Sequence, residues 1–257
     1  MSMLATDLAR ALDPVELARA TGIEPDDWQA NLLRSDDPQT ILLCSRQSGK
    51  STICGIVAYH TAAYQPGSLI LLVSPSLRQS QELYKKVSAV ADALGPDACP
   101  IREESALRVE LRNRSRIICL PGQAATIRGY SGPRLIIVDE ASRVPDELYE
   151  ALRPMRATGG SRLILLSTPF GKRGFFFKEW SEGGPGWRRI KVTAHDCPRI
   201  TAEWLQTERE TIGDWSYRQE YLVEFVETDD QVFGFDLISA AISADVKPMF
   251  GGWRCSS

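Results

Sequence analysis

Four short runs of buried-type residues set the frame of this chain: Thr40–Leu43, Ser68–Val73, Leu135–Val138 and Leu163–Leu166. Each is nearly continuous in aliphatic side chains and does not alternate with polar ones. A strand buried on one face alternates, whereas a strand buried on both faces does not. Between the runs lie segments that read as helices. Pro14 to about Thr21 follows an acidic cap at Asp13, and a short helix carries Trp28, Gln29, Leu32 and Leu33. Further helices cover Ser51–Tyr64, the segment up to Leu94, Pro145–Met155, Gly174–Trp180 and, in the main, Ala202–Phe225. Strands alternating with helices predict an α/β fold, a mostly parallel sheet with helices on both faces. Leu107–Leu111 and Arg116–Leu120 alternate instead and predict a hairpin turning near Asn113. Trp187–Val192 reads as a last strand.

Bulk properties exclude several classes. The chain has 257 residues, 43% hydrophobic and 25% charged, which is ordinary for a globular protein. The longest clean apolar run, Leu69–Val73, is a strand's length, so no membrane association is expected. No basic region followed by an apolar segment opens the chain, which argues against secretion. The six cysteines are scattered without a C-x-x-C pair, the pattern of reduced thiols in a cytoplasmic protein. Net charge is −3, so the whole chain is no electrostatic nucleic-acid binder. Basic residues do bunch at Arg112, Arg114 and Arg116, at Lys172 and Arg173, and at Arg188, Arg189 and Lys191. Each bunch reads as a solvated face or as a contact for nucleic-acid phosphates.

The chemistry is concentrated at the ends of the buried strands. The sequence Cys44-Ser45-Arg46-Gln47-Ser48-Gly49-Lys50-Ser51-Thr52 links the first strand to a helix, the context a phosphate-binding loop needs. Gly49 can adopt backbone angles that let successive N–H groups converge on phosphate oxygens. Lys50 would reach the terminal phosphates, the Ser51 hydroxyl would hold Mg²⁺, and the helix from Ser51 adds its positive end. The loop departs from the usual pattern in having Cys44 where a glycine is expected. In Arg134–Ser142, four apolar residues end in Asp139 and Glu140, which puts carboxylates at the carboxyl edge of a buried strand. There Asp139 would take the water shell of Mg²⁺ and Glu140 would polarise the attacking water. A third strand ends in Ser167 and Thr168, hydroxyls placed to sense the γ-phosphate.

Taken in order, Trp28-Gln29, SRQSGKS, RGYSG, LIIVDEA and LLSTP resemble the ATPase domain of a large terminase, the viral genome-packaging motor. The resemblance spans roughly residues 25 to 228. It implies a P-loop, RecA-like fold with an additional strand, and ATP-driven translocation of double-stranded DNA into a procapsid. It implies that Gln29, with Trp28 beside it, reads adenine. It also implies that Arg46 contacts the γ-phosphate from within the same subunit and that Arg128 reaches a neighbouring subunit's site as an arginine finger. The partners implied are a portal protein, a small terminase subunit and further copies of the chain. These copies form a ring on the procapsid in the host cytoplasm, the isolated chain being monomeric. Large terminases usually continue into a nuclease that uses clustered carboxylates and two metal ions. Residues 1–228 are accordingly read as the motor domain, opening with a helical segment over 1–38. Residues 229–257 are read as a linker, with Asp236 and Asp245 in it, toward a nuclease missing from this chain. A helicase-like ATPase, or an assembly module that binds ATP without turning it over, are the competing readings.

Overall fold

The computed structural model describes residues 3–122, 127–157 and 160–226. The expected linker, with Asp236 and Asp245, lies outside the described residues.

Three short helices open the fold: α1 (Met3–Leu12), α2 (Pro14–Ala20) and α3 (Asp27–Leu33). Asp13 caps α2 by accepting the Val15 N–H at 3.0 Å, and Pro14 fills the first helical position, where no N–H is needed. The core follows as β1 (Gln39–Cys44), α4 (Lys50–Tyr64), β2 (Leu69–Ser74), α5 (Leu77–Leu94), β3 (Ile101–Ser105), β4 (Arg108–Leu111) and β5 (Arg116–Pro121). After it come β6 (Leu135–Asp139), α6 (Asp146–Leu152), β7 (Arg162–Ser167), α7 (Gly174–Ser181), β8 (Arg188–Val192) and α8 (Ala202–Glu220).

The strands form one eight-stranded sheet in the order β3-β4-β5-β2-β6-β7-β1-β8. From β5 to β8 every pairing is parallel, while β3 and β4 run antiparallel at one edge. The decisive feature is that β7 lies between β1 and β6, pairing Leu165 with both Ile41 and Val138. This is the additional-strand arrangement, and the fold class is as expected. It brings the ends of β1, β6 and β7 side by side at one edge of the sheet.

Side-chain parity explains why the central runs are aliphatic throughout. Leu42, Ile70, Leu72 and Ile137 face one layer, where they pack with Ile53 and Ile56 of α4 and Leu83 and Val87 of α5. Their neighbours Ile41, Leu71, Ile136 and Val138 face the other, with Leu148 and Leu152 of α6 and Phe175 and Phe176 of α7. Burying each such side chain is worth about 1.5–3 kcal/mol, so both layers contribute substantially to the same strands. Helix α4 is itself enclosed, and at Gly55 an added Cβ would lie 3.0 Å from the Lys86 backbone of α5. A side chain there would push the α5 backbone back by a few tenths of an ångström.

Three local expectations need correction. Strand β3 escaped the sequence reading because all five residues are exposed and carry no apolar alternation. The last helix stops at Glu220 rather than continuing to Phe225, and Gly213 (φ 79°, ψ 159°) interrupts it. The helix expected over Pro145–Met155 becomes α6 followed by a tighter 3₁₀ turn containing Pro154.

Asn113 sits at the predicted β4–β5 turn and does more than turn the chain. Its Nδ2 donates to the Ala62 and Ala63 carbonyls at 2.7 and 2.9 Å, and its Oδ1 accepts the Ser115 N–H at 3.0 Å. It therefore stitches the end of α4 to the hairpin. Asn113→Ala is expected to cost about 1–3 kcal/mol of stability. A urea titration should show a lower midpoint at unchanged slope. An unshifted midpoint would remove Asn113 from the structural account.

Candidate active site

The loop between β1 and α4 is held in place by its own backbone and by groups from far along the chain. Gly49 has φ +86°, in the left-handed region. A Cβ there would meet Gln29 Nε2 at 2.9 Å, so a side chain would displace the Gln29 amide as well as strain the backbone. Gln29 Nε2 donates to the Ser48 carbonyl at 3.1 Å, and Arg199 Nη2 reaches the same oxygen at 3.3 Å. Arg199 also forks onto both carboxylate oxygens of Asp26, at 2.8 and 2.7 Å. Asp26 caps α3, and its N–H donates to Gln29 Oε1 at 2.9 Å. The Gln29 amide is thus engaged at both ends, with one N–H and one lone pair to spare. Trp28 beside it is half-buried, packed against the core, and its indole N–H is buried without a partner. Arg199 was missed by the sequence reading; it lies in an irregular stretch with no motif around it.

The rest of the loop is fixed along its other side. The Ser45 N–H donates to the Val192 carbonyl at 2.8 Å and the Arg46 N–H to the Glu220 carbonyl at 3.1 Å. The Arg46 side chain turns to the Glu220 carboxylate, with Nε to Oε2 at 2.5 Å. Gln47 takes a positive φ of 57°, and the Ser48 hydroxyl is buried without a partner. Thr52 lies in the first turn of α4, its N–H on the Gly49 carbonyl at 3.1 Å. Cys44, at the position usually glycine, is fully buried, and burial pushes its thiol up to about 12. That thiol is a packing group.

Opposite the loop stand the carboxylates. The Ser51 hydroxyl donates to Asp139 Oδ2 at 2.9 Å, and the Glu140 N–H donates to Asp139 Oδ1 at 3.0 Å. Lys50 Nζ lies 3.0 Å from Glu140 Oε1, with the two side chains 11% and 22% exposed. Burial pulls the Lys50 ammonium down, but the Glu140 and Asp139 charges outweigh it and the net direction is up. For Asp139 burial pushes up, and the nearby Lys50 charge opposes it without cancelling; the net direction is again up. Glu140 has φ 51° and ψ 42°. A non-glycine residue held there costs of order 1–3 kcal/mol, and such strain gathers at functional sites.

Ser167 and Thr168 are both buried at the end of β7. Between them and the carboxylates stands Ser142, a residue the sequence reading passed over. Its single hydroxyl proton goes to the Thr168 carbonyl at 2.8 Å, so Ser167 must be the donor in the 2.6 Å contact between the two serine oxygens. The turn after Asp139-Glu140 is thereby tied to the Ser167-Thr168 turn. A signal existed in the motif itself, since Ser142 is its last residue.

Arg46, Lys50, Glu140, Arg143 and Thr168 line one cleft of about 540 Å³, which Gln47 and Gln79 complete. Arg128 does not line this cleft; it is exposed and borders a separate cavity of about 580 Å³ with Tyr130, Glu150 and Met155. Two members of the basic bunches have structural duties. Arg188 pairs with Asp37 at 2.6 Å, and Arg189 binds carbonyls at the end of α7, including Trp180 at 2.8 Å.

Comparison with known proteins shows the family and the fold. The sequence model described as terminase large subunit, T4likevirus-type, N-terminal, matches residues 41–240. The chain belongs to that family. The large terminase subunit of Thermus phage G20c is 27% identical over 253 residues, covering 84% of this chain and 52% of the relative. That of Escherichia phage T5 is 28% identical over 227 residues, covering 82% and 50%. This terminase chain therefore spans about half the length of the curated relatives it matches. In fold it is similar to the large terminase ATPase domain of Thermus phage P74-26, with a TM-score of 0.71 at 21% identity, covering 81% of this chain and 97% of the other. The large terminase of a thermophilic bacteriophage in complex with ATP-gamma-S gives a TM-score of 0.63 at 12% identity, covering 78% and 53%.

A buried carboxyl whose folded pKa lies above its unfolded value binds its proton more readily in the folded chain. Its contribution to stability is therefore lost as pH rises through the raised value. Asp139→Asn removes that pH-dependent loss in the terminase fold, and its single amide oxygen keeps one of the two hydrogen bonds that Asp139 accepts, from Ser51 or from the Glu140 N–H. The variant's urea midpoint relative to the wild type's should therefore rise as pH is raised from about 4, the ordinary carboxylate value, to 7.5. A difference that stays constant with pH, or moves the other way, would contradict the direction assigned to Asp139.

Proposed function

We propose that this chain is the ATP-hydrolysing motor domain of a viral large terminase, working on double-stranded DNA. The observation that carries the reading is the pairing, beside one cleft, of Ser51 with Asp139 and Lys50 with Glu140. The groups assigned to phosphate binding and water activation already face each other there, next to a loop whose Gly49 takes a left-handed backbone.

The donor set suits Mg²⁺. Among the described residues no three His, Cys, Asp or Glu side chains gather into a metal cluster. A hydroxyl and one carboxylate are what Mg²⁺ takes when phosphates and water complete its shell. Ser51 and Asp139 would hold it, and bound there it would neutralise charge on the β- and γ-phosphate oxygens.

The residues then divide the work. Lys50 exchanges the Glu140 carboxylate for phosphate oxygens, a swap of one anion for another with no net burial of charge. Ser45 to Thr52 supply loop contacts, and the partnerless Ser48 hydroxyl has a donor to offer. Released from Lys50, Glu140 accepts a proton from the water that attacks the γ-phosphorus as the bond to the ADP oxygen breaks. Gln29 keeps one N–H and one lone pair for adenine, with Trp28 beside it. Arg46, at the cleft rim, is the same-subunit contact for the γ-phosphate. Arg128, outside its own cleft and exposed, serves the site of a neighbouring subunit. Ser142 links loss of the γ-phosphate to Ser167 and Thr168.

The wider assignments follow the family. Residues 1–228 form the motor domain and 229–257 the linker. The partners are a portal protein, a small terminase subunit and other copies in a ring on the procapsid, in the host cytoplasm. No helix among the described residues is long and apolar enough to cross a membrane.

Glu140→Gln should hydrolyse ATP at least about a hundredfold more slowly. It should bind Mg-ATP no more weakly than wild type, because Lys50 loses its competing partner; Lys50→Ala should lose binding itself. Calorimetry with a phosphate-release assay measures both. Near-normal turnover by Glu140→Gln would reject its role, and wild-type binding without turnover under all assembly conditions would favour a pure binding module. In the same assay Arg128→Ala should lose only the activity that grows with protein concentration.

A further inference from the structure

Three cations line the cleft, and two of them are already engaged. Lys50 is paired with Glu140 and Arg46 with Glu220. The third, Arg143, has no carboxylate partner among the described residues. It belongs to none of the motifs by which the site was recognised.

Its position is nevertheless closely set. Arg143 ends the 3₁₀ turn Ala141–Arg143 that begins directly after Glu140, and its N–H donates to the Glu140 carbonyl at 2.9 Å. Ser142, in the same turn, is fastened to Ser167 and to the Thr168 carbonyl. The turn therefore cannot shift relative to either strand end without breaking these bonds. At the side-chain end, the guanidinium carbon lies 4.2 Å from the centre of the Phe170 ring, and Arg173 rests on the same ring at 4.8 Å. A guanidinium over an aromatic face is attracted through its plane and keeps its N–H donors at the edge. Phe170 thus orients the charge without consuming its donors, which an ion pair would do.

An unpaired, oriented guanidinium on the rim of a concave site is a receptor for a phosphate, which it can hold bidentately. Glu140 and Thr168 flank it, and these are the residues assigned to the attacking water and to γ-phosphate sensing. We propose that Arg143 is a further contact, from the same chain, for the terminal phosphate of the nucleotide, held ready by Phe170. The proposal rests on reading the cleft as an ATP site. Because Phe170 lies two residues beyond Thr168, the same contact reports to that loop whether a terminal phosphate is present.

The test is the ratio of two affinities, which a merely structural residue would not change. Calorimetric titration of the chain with Mg-ATPγS and with Mg-ADP should show Arg143→Ala losing about tenfold for ATPγS, the scale of one charge-assisted contact, and less than about twofold for ADP. Arg143→Lys, which keeps the charge but not the fork, should fall between, as should Phe170→Leu, which keeps the arginine but not its platform. These two variants carry the same test if Arg143→Ala does not fold. Lys50→Ala, losing both nucleotides, confirms the cleft independently. If it does so while Arg143→Ala weakens both nucleotides equally or neither, the proposal falls and the nucleotide reading stands. If the wild-type chain binds neither nucleotide, the reading itself falls and the proposal with it.

Discussion

Lys50, Asp139 and Glu140 share a nearly dry rim where β1 and β6 end, and much of the molecule serves to keep them together. One ammonium among two carboxylates is short of positive charge, and burial raises the cost of that shortage. The structure meets it with local bonds: the Ser51 hydroxyl and the Glu140 N–H on Asp139, and the Lys50 contact on Glu140. A polyphosphate with its cation would change this balance more than any other ligand class, since it brings both signs at once. The left-handed backbone at Glu140 adds strain to the same cluster.

The sheet order makes the cluster possible. With β7 between β1 and β6, the strands that lead into the loop lysine and the carboxylates are one strand apart, and the two side-chain groups meet over the end of β7. The same strand delivers Ser167 and Thr168 into the gap. Around this centre the loop is braced from both directions. Gln29 and Arg199 hold the Ser48 carbonyl from one side, and Val192 and Glu220 hold the Ser45 and Arg46 amides from the other. Those braces come from the N-terminal helices, from β8 and α8 and from the irregular stretch between these two, so elements remote in sequence fix the torsions of one loop.

Much of this was legible in the sequence wherever a residue's role is set by its immediate neighbours. The both-sides-buried runs announced the parallel strands, and Asn113 announced the hairpin. Gly49, Lys50, Ser51, Asp139 and Glu140 stood out because strand ends and loop glycines carry local signatures, and the structure brings them together. What was illegible depends on long-range placement. Arg199 reaches the loop from about 150 residues away, a separation that leaves no periodicity to read. Strand β3 carries no apolar face because it sits at the edge. The break at Gly213 and the end of α8 at Glu220 were masked by helix-forming neighbours, tertiary placement having overridden propensity. Arg46 was legible as a loop cation, but its partner Glu220 was not.

In the function proposed above, a Mg-nucleotide enters between the Ser45–Thr52 loop and the Asp139–Arg143 turn. Hydrogen–deuterium exchange of the chain with and without Mg-ATPγS addresses it directly, because amides that bind phosphate, or that are locked by it, exchange more slowly. Slowed exchange is expected in peptides covering residues 45–52, 139–143 and 167–170, with no change in the β4–β5 hairpin at the other edge of the sheet. Nucleotide-dependent protection confined to that hairpin or to α1, with the loop and turn unchanged, would contradict the account.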